Sequence, residues 1–327
     1  MLLESFATLR QKANDAWEKN AQQNRRVVLF HALPALALPL IVTAINLFLE
    51  GQLAGTGGLS GIGMRSTLET IQTVLSSAIR VLLPFWQLGL IYIAMQISRE
   101  QEVQPQQLLA GFSRWGAALR LMLFRTIQYT TKIFVGIFLG SAIYSVTPFS
   151  QNMMAITEEL SSDPAYAEAT LEELMIALTE RLSFGDIFLC YGLCILGAAV
   201  LVIPVFYRYR MSDYALLDSE KPGAFAAIRE STILMQGNRV RLFKLDLHFW
   251  WYYLLLFIAG VAAYGDLILP LLGVQLPFSA EWAYILFAVF STILQLILYY
   301  LFRGQVETTY ACVYDALKTP EGGNETL

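Results

Sequence analysis

Residues 187–206 read IFLCYGLCILGAAVLVIPVF, with no charged side chain from Ile187 to Phe206. At about 1.5 Å per residue, a helix of this length covers the ~30 Å hydrocarbon core of a bilayer. Five further stretches share this character: Val27–Leu49, Ile71–Ile97, Leu121–Tyr144, Leu247–Ala263 and Ala283–Leu301. Of the 327 residues, 56% are hydrophobic and 15% charged, against about 25% charged in soluble domains. In lipid the backbone polar groups must be satisfied within the segment, which favours helices for runs of this length. The fold class that follows is all-α: a polytopic membrane helix bundle with six transmembrane helices and interfacial amphipathic helices.

The connectors between these runs alternate in charge. Arg10, Lys12, Lys19, Arg25 and Arg26 precede the first run, and Arg99, Arg114 and Arg120 follow the second. The fourth connector holds Arg208, Arg210, Lys221, Arg229, Arg239, Arg241 and Lys244. The first and third connectors have only Arg65 and Arg181, and the third carries Glu158, Glu159, Asp163, Glu168, Glu172, Glu173, Glu180 and Asp186. By the positive-inside rule both termini and the basic connectors are cytoplasmic. The net charge of −4 conceals this segregation.

The organisation expected is a cytoplasmic amphipathic N-terminal helix over 1–26, a membrane domain over 27–301, and a cytoplasmic tail over 302–327. Leu2, Phe6, Leu9, Ala13 and Trp17 recur at helical steps. That face serves equally for lying on the membrane surface or for packing on the chain's own connectors. The first run is too long for the apolar region of a cleaved signal peptide. Within the membrane domain, 147–186 is an acidic extracytoplasmic helical insertion, and Thr170–Glu173 has the capping-box pattern. The segment 207–246 is a cytoplasmic hairpin. Pro222 opens its second helix, with Phe225, Ile228, Thr232 and Met235 on one face, and Gly237 ends it. Asp218 lies near the positive end of that helix.

Few residues suggest chemistry. Cys190 and Cys194 share a helix face but have no His or carboxylate beside them there, so they read as packing residues. His31 and His248 belong to no zinc-protease motif, and no nucleophile elbow occurs. No catalytic, metal or cofactor residues are expected, and the reading is of a chain that is not an enzyme. Ionisable groups inside membrane runs are functional suspects. Arg125, Gln128 and Lys132 lie on one face of the third run, and Asp246 opens the fifth. They are candidates for a polar cleft taking an anionic substrate or lipid headgroup, or for structural pairing between helices. Asp246 is expected to contact a basic or hydrogen-bonding group from the fourth connector or the third run.

The fourth connector also carries a resemblance. Tyr214–Asp218, Pro222, Ser231–Gly237 and Leu242–Leu247 resemble the pattern of a bacterial membrane-protein family, domain of unknown function nine-seven-five. The resemblance covers roughly Tyr207–Phe249, and extends distantly to the membrane domain of some glycerophosphodiester phosphodiesterases. Members usually have Ser where this chain has His248, and the acidic third connector looks like an insertion. The resemblance implies a polytopic helical fold in a bacterial cell (inner) membrane and no particular activity. The function expected is a non-enzymatic factor that handles or assembles membrane or envelope components. The alternative is a small transporter or channel for an anionic or amphipathic substrate. Expected partners are membrane lipids and other membrane proteins, not nucleic acid.

Overall fold

The computed structural model describes residues 6–53, 59–162, 183–220, 223–271 and 280–318, with isolated positions between 170 and 181 and Val274. The described residues contain helices and no strand. In chain order the helices are α1 (Phe6–Lys19), α2 (Ala21–Leu53), α3 (Leu59–Ser98), α4 (Trp115–Ser145), α5 (Pro148–Ser162), α6 (Phe184–Arg208) and α7 (Ser212–Asp218). Then follow α8 (Ala224–Leu234), α9 (Arg239–His248), α10 (Trp250–Val261), α11 (Gly265–Leu271), α12 (Ala280–Leu298) and α13 (Gly304–Lys318). A 3-10 turn, Pro105–Leu109, precedes α4, and a π-helical turn, Tyr299–Arg303, joins α12 to α13. Five helical segments are long and apolar enough to cross a membrane, or six if α4 and α5, bent by 87°, count as one broken span. Phe134, Phe138, Phe188, Ile195 and Phe257 are among the large apolar side chains left exposed on them. Exposure on this scale suits lipid rather than water.

The chain divides into two compact bodies, one built from residues up to Leu119 and from Met211 onward, the other from Arg120 to Arg210. In the first body α1 buries Leu9, Ala13 and Trp17, which are four residues apart and share a face. That face packs on α13 and α3, so α1 lies against helices of its own chain. A Cβ at Gly304 would come within 2.0 Å of the Trp17 ring. Glycine there is what lets the indole approach α13 this closely. Trp17 joins Val27, Val28, Leu90, Ile93 and Leu108 in one apolar cluster.

Helix α3 has two halves of different character. Ile71, Val74, Val81 and Leu82 are exposed, whereas Leu88, Leu90, Ile93 and Met95 are buried. Pro84 sits at the change. A Cβ at Gly89 would lie 1.9 Å from the Leu108 carbonyl oxygen, so glycine allows the 3-10 turn to seat directly on the buried half.

The segment expected as a cytoplasmic tail forms α13, which is continuously buried from Val306 to Tyr314. Its charged and hydroxyl side chains read as a solvated segment because their partners lie far away in sequence. On α8, Ile228 and Met235 are buried as expected but Phe225 is 70% exposed. The inward face is Ala224, Ala227, Ile228 and Ser231, because small residues let α8 approach its neighbour α7. Pro222 lies outside the described residues. Gly237 has φ +81°, which glycine adopts at least cost just beyond a helix end.

In the second body α4 and α6 cross at Gly136, Gly140 and Gly197. A Cβ on Gly136 would meet the Ala198 Cα at 2.4 Å, and one on Gly140 the Leu193 carbonyl oxygen at 2.5 Å. This is small-residue packing in which backbones approach closely. Gly136 and Gly140 are spaced as GxxxG, a signal the sequence carried. The capping box of the acidic connector is formed: Glu173 accepts from the Thr170 N–H at 2.8 Å, and the Glu173 N–H donates to the Thr170 hydroxyl at 3.3 Å. These bonds hold the Glu173 carboxyl below its usual range. Leu171, Leu174, Leu178 and Leu182, which the sequence spaces as one helix face after that box, lie outside the described residues.

Candidate functional site

Arg303, Glu307, Tyr310, Tyr314 and Lys318 recur at steps of three and four and form one stripe along α13. Burying polar groups is costly unless each finds a partner, and this stripe is closely partnered. Arg303 Nη2 lies 2.7 Å from Glu307 Oε1, one turn away. Tyr214 of α7 donates to Glu307 at 3.2 Å and Gln87 of α3 at 3.3 Å. The Tyr310 hydroxyl donates to Asp246 of α9 and lies 3.2 Å from that of Tyr253. Tyr314 donates to Glu230 at 3.1 Å and to Asp218 at 3.2 Å.

At the end of the stripe Asp218 gathers cations. Arg99 Nη1 lies 2.8 Å away, and Lys318 also pairs with it. Arg99 bridges onward to Asp315 at 2.7 Å, and the Ser98 hydroxyl donates to Asp315 at 2.8 Å. Burial works against the charge on Arg99, but its bonds to Asp315 and Asp218 and their charges override it and raise its pKa. Arg114 donates to the carbonyls of Leu216 and Leu217, both at 2.6 Å, satisfying the open C-terminal end of α7. The Met211 N–H donates to the Ser231 hydroxyl at 3.2 Å, tying α8 to α7. Asp218, Ser231 and Asp246, which carried the sequence resemblance, therefore fasten the hairpin, and two of them hold α13.

Beside Arg303 the first body has a partly open cavity of about 400 Å³. Its polar lining is His31, Arg80, Gln87 and Tyr299, and its apolar lining Leu36, Leu83, Pro84 and Trp86. Two helix irregularities flank it. Proline has no N–H, so Pro84 cannot make the usual bond to the Arg80 carbonyl. Tyr299 belongs to the π-helical turn, a feature found often at functional sites. His31 stacks on Trp86 with centroids 6.0 Å apart, and the Trp86 indole N–H donates to the His31 carbonyl at 2.8 Å. Among the described residues no group of three or more His, Cys, Asp or Glu is placed to hold a metal.

A family model described as Protein of unknown function (DUF975) matches residues 9–319. The chain belongs to the DUF975 family. No curated protein and no solved structure matches it. These comparisons do not show the likeness to the membrane domain of glycerophosphodiester phosphodiesterases.

Within this DUF975 protein the expected site residues separate. Arg125, Gln128 and Lys132 lie half-buried on α4, in the second body. Asp218 and Asp246 belong to the first. Asp246 accepts a hydrogen bond from Tyr310 of α13, a segment outside the fourth connector and the third run. The contact forms because α13 folds back into the body instead of trailing into solvent. Glu307, Arg303, Arg99 and the His31 cavity escaped the sequence reading. The stripe on α13 was visible in its spacing; the cavity had no local signal.

Proposed function

We propose that this DUF975 protein is a non-enzymatic membrane factor that binds an amphipathic component of the membrane or envelope and passes it on unaltered. One observation carries this reading. The cavity has a polar wall of His31, Arg80 and Gln87 and an apolar wall, and it opens where α3 changes from an exposed apolar surface to a buried one. Such a junction suits a molecule with one polar and one apolar end. The charges on α13 are engaged with partners on other elements, Glu307 with Arg303, Asp315 with Arg99 and Lys318 with Asp218, which supports a scaffold role for them. The proposal includes a bacterial cell membrane with α1, α13 and the hairpin on the cytoplasmic side. The packing of α1 on α13 and the alternation of basic connectors support it.

The test is binding of a fluorescent short-chain amphiphile to the full chain in neutral-lipid nanodiscs. Saturable binding displaced by unlabelled compound is expected. Uptake that rises linearly with lipid, without saturation, would refute the reading. A second reading, a small transporter of an anionic or amphipathic substrate, is favoured by Arg125, Gln128 and Lys132 on one half-buried face of α4. Release of a trapped organic anion from proteoliposomes faster than from empty vesicles would support that one.

A further inference from the structure

We infer that the cavity between α2, α3 and the π-helical turn is a headgroup site for an anionic amphiphile, with His31, Arg80 and Gln87 receiving phosphate or carboxylate oxygens. This rests on the binding reading above and names its ligand class.

His31 is 2% exposed and lines the cavity. Among the described residues neither of its ring nitrogens has a hydrogen-bond partner. A buried imidazole left that way loses hydration with nothing in return, and a ligand oxygen accepting from its N–H removes that cost. The ring is fixed by the stacking and the backbone bond to Trp86, so it is oriented before a ligand arrives. Arg80 adds a positive charge and makes no ion pair among the described residues.

The electrostatic balance favours an anion. Among the described residues no Asp or Glu lines the cavity. The buried carboxylate of Glu307 accepts from the cavity-lining Gln87 at 3.3 Å and is paired with Arg303 at 2.7 Å. Arg303 also lies over the Tyr299 ring, 5.5 Å from its centroid. The apolar side is Leu36 and Leu83, and the neighbouring residues Val81 and Leu82 of α3 are exposed. An acyl chain laid along that surface stays in an apolar medium while its headgroup enters the cavity. The volume, about 400 Å³, takes a headgroup and the start of a chain but not a whole diacyl lipid.

The full chain in phosphatidylcholine nanodiscs is titrated calorimetrically with dioctanoyl phosphatidylglycerol, dioctanoyl phosphatidylcholine and inorganic phosphate. Phosphatidylglycerol should bind at least tenfold more tightly than phosphatidylcholine. Arg80→Gln and His31→Gln should each weaken it about tenfold or more, the effect of one hydrogen bond to a charged group. Leu83→Trp, which fills the cavity without touching a charge, should abolish binding, and keeps the test open if His31→Gln fails to fold. If millimolar phosphate leaves the lipid bound, the occupant is a lipid headgroup; if phosphate binds and displaces it, the same oxygens belong to a free anion. Equal affinity for the two lipids, or unchanged phosphatidylglycerol binding in Arg80→Gln and Leu83→Trp, would overturn the headgroup site and leave the broader reading standing. Failure of every amphiphile to bind would overturn that reading as well.

Discussion

Glu307→Gln should destabilise the protein more than an ordinary substitution on α13. The side chains of Glu307 and Arg303 are 10% and 16% exposed, so water screens the pair poorly. The carboxylate takes bonds from Arg303, Tyr214 and Gln87. Glutamine keeps a carbonyl acceptor of nearly the same shape but removes the charge. Arg303 is then left buried with its countercharge gone, a change that costs about 3–5 kcal/mol in comparable pairs. The retained acceptor sets the expectation at the lower end, about 3 kcal/mol. At about 2–4 °C per kcal/mol, the midpoint should fall by about 6–12 °C. Thermal unfolding in detergent is read by tryptophan fluorescence at one fixed scan rate, because membrane proteins often unfold irreversibly. Adding Arg303→Met to Glu307→Gln removes both charges and should restore at least half of the loss. A midpoint within about 1 °C of wild type, or a double variant no better than the single one, would refute the idea that a buried ion pair anchors α13.

Tyr310→Phe removes the hydrogen bond to Asp246 and should cost about 1.5–3 kcal/mol; Asp246→Ala should cost less in that background than in the wild type, and full additivity in a double-mutant cycle would disprove the coupling. Gly304→Ala forces a methyl against the Trp17 ring and should cost about 1–3 kcal/mol, whereas Gly260→Ala, with nothing within 4 Å of its added carbon, should be neutral or stabilising; equal midpoints for the two would contradict the packing described. Burial first, and Arg10 second, lower the pKa of His248 from its ordinary 6.5. Its contribution to stability is therefore present above pH 6.5 and declines as pH falls toward the lower folded value. In an NMR titration Arg10→Gln should move that pKa upward, and a downward or absent movement would argue against the Arg10 contribution.

The membrane character was legible from sequence because crossing a bilayer depends on local composition. Val27–Leu49, Ile187–Phe206 and Ala283–Leu301 each carry the length and apolarity within one continuous segment. Helix punctuation was legible for the same reason: the Thr170–Glu173 box and the Gly237 terminus involve neighbours three or four residues away. Burial of polar residues was not. Glu307 and Tyr310 have the composition of a solvated tail, yet they are buried against partners such as Gln87 and Asp246, lying 220 and 64 residues away; Lys318 stays exposed and pairs with Asp218, 100 residues away. A charge shows its type in the sequence but not its partner, and the partner decides whether it faces water or a core. The cavity is more nonlocal still. His31, Arg80 and Tyr299 come from three separate helical segments, and only the tertiary structure brings the unpartnered imidazole, the arginine and the apolar groove to one place.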